Sequence, residues 1–189
     1  ELDAILNMGD RKQKSVPKYL VGALAERLEK MNQKVGSEYK EFREKMKEAY
    51  NADIKVPDGL QATLRPYQKE GFEWIWRLDA WGAGACLADD MGLGKTIQTI
   101  TFMLSKADRG PSLVVAPKSV IPNWVNEVAK FAPSIRVNVL NETPDRQLLV
   151  DEAPPYSIVL CTYGVLTTES QLLQSRMWNV VRLEEAHQI

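Results

Sequence analysis

The sequence is short of cysteine, of long apolar runs and of net charge. Its two cysteines, Cys86 and Cys161, stand far apart, each inside an apolar stretch. This spacing excludes a disulfide framework or a cysteine metal cluster and predicts two reduced, buried thiols. No apolar run approaches the ~18–20 residues of a membrane span, and the N-terminus lacks the basic-then-apolar layout of a signal peptide. We therefore expect a cytoplasmic protein that makes no membrane contact.

Charge of neither sign dominates, because 24 basic residues face 25 acidic ones and the net charge is −1. A nucleic-acid partner must then be held by a local patch rather than by a basic surface. Hydrophobic residues make up 44% of the 189 positions and charged residues 26%, which excludes disordered and fibrous chains. The length predicts one domain, with or without a small appendage. Because the sequence begins at Glu1 and stops at Ile189 just after an acidic cluster, we expect a fragment of a longer protein.

Residues 1–58 carry a mixed-charge helical pattern and are predicted to form an accessory helical segment. One helix begins near Pro17 and ends at Gly36, and a second is capped by Ser37. Their apolar stripes are Leu20, Leu24, Leu28 and Met31 in the first, and Tyr39, Phe42, Met46 and Ala49 in the second. The charged side of this hairpin is either a solvated face or a docking or regulatory surface.

A turn at Pro57, Asp58 and Gly59 separates this segment from residues 59–189, where short apolar runs alternate with helical patterns. Five runs predict strands, at 84–88, 112–116, 136–140, 157–161 and 179–183. Helices fill the gaps, with apolar faces at Tyr67, Trp74 and Leu78, at Ile97, Ile100 and Leu104, and at Val120, Trp124, Val128 and Phe131. The repetition predicts an α/β fold with a parallel sheet, helices on both faces, and ligands at the carboxyl ends of the strands.

The sharpest local signal is the loop 88–96, Ala-Asp-Asp-Met-Gly-Leu-Gly-Lys-Thr, between a predicted strand and a predicted helix. Its glycines let backbone N–H groups and the helix N-terminus face phosphates, Lys95 reaches the β- and γ-phosphates, and the Thr96 hydroxyl binds Mg²⁺. The predicted nucleotide contacts are Asp90, Met91, Gly92, Leu93, Gly94, Lys95 and Thr96. Asp89 stands where the strict pattern has its first glycine, so the match is to a relaxed form. The alternative is an ordinary glycine turn that caps a helix.

Several short motifs accompany this loop in a fixed order. They are Leu64-Arg65-Pro66-Tyr67-Gln68, the loop itself, Val114-Val115-Ala116-Pro117-Lys118-Ser119, Trp124 with Glu127, Cys161-Thr162-Tyr163, and Glu184-Glu185-Ala186-His187. Together they resemble the first-lobe motifs of the Swi/Snf-type ATPases, helicase-like DNA translocases of superfamily two. The resemblance covers about residues 60–189 and implies a three-layer, RecA-like P-loop NTPase sheet. An incomplete lobe is expected here, with an apolar sheet edge that lacks a partner.

For the nucleotide, the resemblance implies that Gln68 binds adenine, since a Gln amide offers the purine edge both a donor and an acceptor. A solvent-facing Gln on a helix is the alternative. Lys95 and Thr96 keep the phosphate and Mg²⁺ roles. Glu184 falls where the family usually carries an Asp that holds Mg²⁺, and Glu185 matches the carboxylate that orients or deprotonates the attacking water. The implied catalytic residues are thus Lys95 and Glu185, and the implied cofactors are ATP and Mg²⁺.

Two residues of the last motif depart from the family pattern. Glu184 is one methylene longer than Asp, which can displace the ligands of the metal because Mg²⁺ demands near-octahedral geometry. Arg182 stands in what should be a buried central strand, where an unpaired charge costs several kcal/mol. Either this strand is exposed, or Arg182 has a carboxylate or phosphate partner. His187 is either catalytic or a structural hydrogen-bonding residue.

Pro117, Lys118 and Thr162 resemble the motifs that grip the sugar-phosphate backbone of the tracked DNA strand, contacts that carry little base information. A Lys and a hydroxyl that follow strand ends can line one groove on the ligand side of a parallel sheet. The alternatives are a solvated loop position for Lys118 and a strand-end cap for Thr162. Trp124 lies on an apolar helical stripe, which favours a core position over base stacking.

The resemblance implies the ATP-binding lobe of a translocase that couples ATP hydrolysis to movement on double-stranded DNA and remodels protein–DNA complexes. In this family the arginine that stabilises the γ-phosphate charge, worth ~10³–10⁵ in rate, comes from a second lobe. That lobe is missing from the 189 residues, so we expect them to bind nucleotide weakly and hydrolyse it negligibly. For a bacterial source we expect association with the nucleoid.

Two other functions stay open. A DEAD-box-like RNA helicase uses the same lobe, although the arrangements Leu-Arg-Pro-Tyr-Gln and Met-Gly-Leu-Gly-Lys-Thr favour the Swi/Snf type. A degenerate, non-enzymatic nucleic-acid-binding scaffold is the other, in which Arg182 and Glu184 mark a site that has lost its chemistry. Transporters and small GTPases share a phosphate loop but lack the ordered downstream motifs.

Overall fold

A computed structural model describes residues 37–90 and 92–186. The chain divides into two compact units, one containing 37–53 and Ile75–Cys86, the other containing Ile54–Trp74 and the residues from Leu87 onward. The turn at Asp58 and Gly59 is present, and the domain boundary placed there stays a prediction. Among the described residues, no helix is long and apolar enough to cross a membrane.

Four of the five predicted strands are present, each within one residue of its predicted bounds. The strands are β1 (Ser112–Val115), β2 (Arg136–Val139), β3 (Ser157–Cys161) and β4 (Val180–Leu183). The helices are α1 (Ser37–Asn51), α2 (Pro66–Ala80), α3 (Lys95–Ser105), α4 (Ile121–Phe131), α5 (Arg146–Glu152), α6 (Tyr163–Thr168) and α7 (Ser170–Gln174). Short 3₁₀ turns at Ala107–Arg109 and Leu140–Glu142 complete the order.

The four strands form one parallel sheet in the order β2-β3-β1-β4. In the register of this sheet, Val114 of β1 pairs with Leu160 on one side and with Arg182 on the other. Strands β1 and β3 are buried along their whole length, which explains their continuous apolar runs. The outer edge of β4 pairs with no other described strand, and Val181 and Leu183 are exposed there. Among the described strands, the predicted apolar edge without a partner is therefore present at β4.

Apolar side chains pack on both faces of the sheet. Helices α3 and α4 cover one face, where the buried cluster includes Ile100, Met103, Val114, Trp124, Val128, Ile158 and Leu160. Helices α5 and α7 cover the opposite face, where a second buried cluster includes Leu113, Val115, Val150, Val159, Cys161 and Leu173. Alternate residues of β1 and β3 thus point to opposite faces, as the period of a strand requires. The predicted three-layer α/β architecture is confirmed, and so is the core position of Trp124.

The strand predicted at 84–88 is wrong, because these residues have no regular secondary structure and are mostly exposed. Gly84, Ala85 and Ala88 offer little side chain to bury, and glycine and alanine are poor strand formers. Such a run depends on a neighbouring strand for its order, and no strand in the described part of the chain pairs with it. Cys86 is consequently exposed, which corrects its prediction as a buried thiol, whereas Cys161 is buried in β3.

Helix α2 forms where predicted but turns a different face inward. Tyr67 and Trp74, predicted on its apolar face, are 39% and 43% exposed, whereas Phe72 is fully buried. The inward face carries Gln68, Gly71 and Phe72, spaced three and four residues apart. It faces inward because Gly71 lacks a side chain and lets α2 approach α3 closely. That close approach depends on tertiary structure, so the pattern of aromatic residues alone misses it.

The other predicted helices agree with the structure where it describes them. Helix α1 corresponds to the second helix of the accessory segment, with Ala49 buried and Met46 half-buried as its stripe predicts. The first helix of that segment lies outside the described residues. The predicted faces of α3 and α4 are buried or half-buried along their length.

Candidate nucleotide and nucleic-acid site

The phosphate loop leads directly into α3, whose first residue is Lys95. Gly92 and Gly94 adopt φ angles of 83° and 78°, in the left-handed region that glycine enters at little steric cost. Asp89 has no such φ, which explains why the relaxed motif tolerates Asp at the position of the first glycine. No described side chain caps the N-terminus of α3, so its first N–H groups are available to a phosphate.

The Lys95 ammonium lies inside this loop. Its Nζ donates to the carbonyl oxygen of Asp89 at 2.7 Å and to that of Asp90 at 3.1 Å. The Lys95 side chain folds back over the residues that precede it, so its positive charge lies next to the backbone of the loop. Because phosphate oxygens are charged acceptors, they can replace these carbonyls with stronger hydrogen bonds. A plain helix-capping turn would not need this lysine, and the phosphate contact of Lys95 stays a prediction.

Gln68, near the start of α2, reaches the same loop. Its Nε2 donates to the carbonyl oxygen of Leu93 at 3.4 Å, and its Oε1 accepts from the backbone N of Arg65 at 3.0 Å. A Cβ on Gly94 would collide with Gln68 Nε2, so glycine at this position permits the approach. The structure therefore brings Gln68 to the loop rather than out to solvent. Its adenine contact stays a prediction.

Two residues that the sequence did not single out, Gln98 and Gly71, pack next to the loop. Gln98 is 1% exposed and donates from Nε2 to the carbonyl oxygen of Gly94 at 3.2 Å. Gly71 lies so close that a Cβ there would overlap Gln98 Oε1. The sequence did carry a signal for Gln98, because it is a polar residue on the apolar stripe of α3. A buried amide requires hydrogen-bond partners, so such a position indicates a structural contact.

Helix α3 carries the loop to the carboxyl edge of the sheet. Through Ile100 and Met103 the helix joins the same buried cluster as Val114 of β1, and a short connection links its end to the start of β1. A helix joined to the following strand in this way runs back over it in the opposite sense. The 11 residues of α3 span ~16 Å and the 4 residues of β1 ~13 Å. The start of α3 therefore lies toward the carboxyl ends of the strands.

Glu184 follows β4 at this edge and is only 7% exposed. Its backbone N donates to the carbonyl oxygen of Val115 at 2.8 Å, and its own carbonyl accepts from the Tyr163 hydroxyl at 2.7 Å. Its carboxylate Oε2 accepts from Arg182 Nε at 3.0 Å and lies 2.9 Å from Arg182 Nη2. Both explanations for Arg182 therefore hold, because β4 lies at the edge of the described strands and Arg182 has a carboxylate partner.

Glu185 has a φ of 53°, and Tyr156 is the other non-glycine residue with positive φ in the described ranges. A left-handed backbone costs an L-residue ~1–2 kcal/mol and persists only where its surroundings impose it.

The charges of this motif also shift the pKa of the nearby Tyr163. Burial and the negative charge of Glu184 raise the pKa of Tyr163, Arg182 opposes them, and Glu185 adds to the rise.

The two predicted Mg²⁺ ligands differ in how well they fit a metal. Thr96 stands next to Lys95 in the first turn of α3, and its hydroxyl is the kind of oxygen donor that Mg²⁺ prefers. The Glu184 carboxylate does not fit as it stands, because Arg182 already neutralises its charge. Across 37–90 and 92–186, no group of three or more His, Cys, Asp or Glu side chains converges to hold a metal.

Polar side chains follow the other strands at the same edge. Thr162 N donates to Asn141 Oδ1 and Asn141 Nδ2 donates to Thr162 Oγ1, each at 3.3 Å. Thr162 Oγ1 also accepts from Val165 N, so Thr162 caps the start of α6. Because a hydroxyl donates while it accepts, this cap leaves the phosphate contact possible. Lys118 is exposed and Pro117 half-buried, and their DNA contacts stay predictions.

Asn141 is a further residue that sequence reasoning missed, and its only signal was a polar residue directly after a predicted strand. The predictions for Met91 and His187 concern residues outside the described ranges.

Comparison with known proteins identifies the family. The family model of the SNF2-related domain matches residues 67–189. The chain belongs to the SNF2-related domain family. It is 44% identical over 142 residues to the putative ATP-dependent helicase/translocase YwqA of Bacillus subtilis (strain 168), a match covering 71% of this chain and 15% of YwqA. To Helicase SWR1 of Debaryomyces hansenii it is 37% identical over 145 residues, covering 72% of this chain and 9% of SWR1.

Solved structures agree with this assignment. The Sulfolobus solfataricus SWI2/SNF2 ATPase core in complex with dsDNA matches with a TM-score of 0.62 at 39% identity, over 72% of this chain and 29% of that one. The Swi/Snf-type resemblance and the RecA-like fold of this SNF2-related domain are thus confirmed. The domain spans 15% or less of the two curated relatives named above.

Proposed function

We propose that this SNF2-related domain is the ATP-binding lobe of a translocase that couples ATP hydrolysis to movement along double-stranded DNA and remodels protein–DNA complexes. The observation that carries the proposal is the loop at the start of α3 in which Lys95 Nζ is held by two backbone carbonyls. Two relatives support it by what their names state: YwqA is a putative helicase/translocase, and the Sulfolobus core was solved with dsDNA.

Nucleotide binding follows from the loop. Lys95 exchanges the carbonyls of Asp89 and Asp90 for phosphate oxygens, and the first N–H groups of α3 donate to the same phosphates. Thr96 would hold the Mg²⁺ that accompanies ATP and neutralises phosphate charge. Gln68, already beside Leu93, offers its amide to the adenine edge.

Hydrolysis depends on the Glu185 carboxylate, which lies just after β4. Glu185 orients or deprotonates the attacking water, and its left-handed backbone fixes the direction in which its side chain leaves the strand end. Charge on the γ-phosphate needs an arginine, which we assign to a second lobe outside these 189 residues. The chain alone is therefore expected to bind ATP and to hydrolyse it negligibly.

DNA binding is assigned to the polar residues that follow β1, β2 and β3. Lys118, exposed after β1, supplies charge for a phosphate, and Pro117 shapes the same turn. Thr162 and Asn141, bonded to each other, supply neutral donors beside it. Such contacts position a backbone without reading its sequence.

Titration calorimetry of ATP against the wild-type chain and Lys95→Ala tests the nucleotide site. Lys95→Ala is expected to lose about ten-fold or more in affinity, because it removes a charge-assisted contact to phosphate. Lys130→Ala is the matched control, since Lys130 is an exposed lysine on α4 that lies over the Phe131 ring. Equal affinities for the wild type and Lys95→Ala would refute the assignment of this loop as the phosphate-binding site.

The parent protein separates the remaining functions. ATP turnover stimulated by duplex DNA supports the translocase, and stimulation by RNA alone supports an RNA helicase. Retained DNA binding without any turnover supports the scaffold. Measurable DNA-stimulated turnover by the 189 residues alone would contradict the need for a second lobe.

A further inference from the structure

The ion pair between Arg182 and Glu184 has no part in the proposed reaction. Both side chains are largely buried, at 17% and 10% exposure, and both guanidinium contacts fall on the same oxygen, Oε2, at 3.0 and 2.9 Å. Arg182 lies on β4 and Glu184 directly follows the strand, so the two residues are only two positions apart in the chain. The pair is therefore local and needs no other element to form.

The backbone around Glu184 is fixed independently of this pair. Its N–H is bonded to the end of β1 at Val115, and its carbonyl accepts from the Tyr163 hydroxyl. The carboxylate can change partners only by rotating its own side chain. Arg182 is always charged and presents its donors as a planar fork, so it holds a carboxylate more firmly than a hydrated cation in solution does.

We propose that Arg182 is an internal cation that occupies the Glu184 carboxylate and keeps a divalent cation off it, so that the metal bound with the nucleotide is held by Thr96 and the phosphates. Mg²⁺ sheds its water reluctantly and demands octahedral geometry, and a tethered guanidinium already in place outcompetes it. The consequence for ATP rests on the proposed function, whereas the exclusion of metal from Glu184 does not.

Removing the guanidinium should uncover a metal site. A buried carboxylate without its partner destabilises the fold, and we expect a divalent cation to take the place of the guanidinium. Arg182 is thus a positioning residue, and the readout is whether metal restores stability. A purely structural arginine would leave stability equally low with and without metal.

Thermal unfolding with and without millimolar Mn²⁺ tests this, since Mn²⁺ takes the same oxygen ligands as Mg²⁺. Arg182→Ile is expected to lower the midpoint, and Mn²⁺ to raise it again by ~3–5 °C, with no comparable rise in the wild type. Arg182→Gln keeps a neutral donor and should show a smaller response of the same sign. Arg146→Ile is the matched control, because it breaks the 2.5 Å pair with Glu169 elsewhere, and Mn²⁺ should not restore it.

Two results would overturn the inference: an Mn²⁺ rise in the wild type equal to that in Arg182→Ile, or no rise in either Arg182 variant. In a second arm, Mg²⁺ should tighten ATP binding about ten-fold more in Arg182→Ile than in the wild type. Equal Mg²⁺ dependence in both proteins contradicts the proposal. A chain that binds no ATP under any condition refutes the nucleotide site instead, and the Mn²⁺ arm still decides the inference.

Discussion

Replacing Gly94 by alanine probes the loop geometry without removing a functional side chain. Gly94 has a φ of 78°, and a Cβ there would collide with Gln68 Nε2 and lie 3.2 Å from Ile97 Cγ2. Gly92 has a φ of 83°, and apart from Gly92 and its chain neighbours no described atom lies within 4 Å of where its Cβ would be. Both replacements force an L-residue into the left-handed region, but only Gly94→Ala displaces Gln68.

The two costs can be estimated separately. The left-handed backbone costs ~1–2 kcal/mol at either position. A displaced Gln68 also loses its bonds to Leu93 and Arg65, each worth ~0.5–1.5 kcal/mol, the longer 3.4 Å bond less than the other. The free energy of unfolding should therefore fall by ~1–2 kcal/mol in Gly92→Ala and by ~2–4 kcal/mol in Gly94→Ala.

Urea denaturation of the wild type, the two glycine variants, Gln68→Ala and the double variant Gln68→Ala/Gly94→Ala measures these terms. In the Gln68→Ala background, the cost of Gly94→Ala should fall close to that of Gly92→Ala in the wild type, since Gln68 no longer has to be displaced. Equal costs for the two glycine replacements, or an unchanged cost for Gly94→Ala without Gln68, would refute the contact between the loop and α2.

Two further predictions concern the DNA edge and the buried thiol. Lys118→Ala should weaken duplex DNA binding and reduce the slope of log K against log salt by ~1, as measured by fluorescence anisotropy, and an unchanged slope would remove Lys118 from the interface. Burial raises the pKa of the Cys161 thiol from 9.0 to about 11. Since the unfolded chain then loses this proton first, the free energy of unfolding should fall by up to ~1.4 kcal/mol per pH unit between these two values and stay unaffected below them. Cys161→Ala should lose this pH dependence in urea titrations, and a parallel decline in both proteins would contradict the assignment.

Strands β1 and β3 and helices α3 and α4 were predictable because local pattern and tertiary burial agree there. Both faces of β1 and β3 are covered by helices, so their runs are apolar throughout. The stripe on α3 meets the sheet directly, and its N-terminal loop carries its own chemistry in Lys95 and the glycines. In such segments the sequence needs no information from distant residues.

The failures have the opposite cause. The run 84–88 has the length and apolarity of a strand, yet a strand exists only through hydrogen bonds to a neighbour, and the described chain supplies none. The inward face of α2 is chosen by Gly71, whose importance appears only once Gln98 lies against it. Asn141 becomes a candidate for the proposed DNA site only because Thr162, 21 positions away, folds beside it.

The order of the strands in the sheet differs from their order in the sequence, and this decides which candidate residues are neighbours. Because β1 lies between β3 and β4, the residues after these strands follow one another along the edge as Thr162, Lys118 and Glu184. Lys118 is therefore the DNA-contact candidate on the strand next to the carboxylates. Thr162 also caps α6, so its replacement would disturb the fold as well as the contact. Lys118 is exposed and caps no helix, which makes Lys118→Ala the cleaner test of whether DNA binds beside the proposed site of hydrolysis.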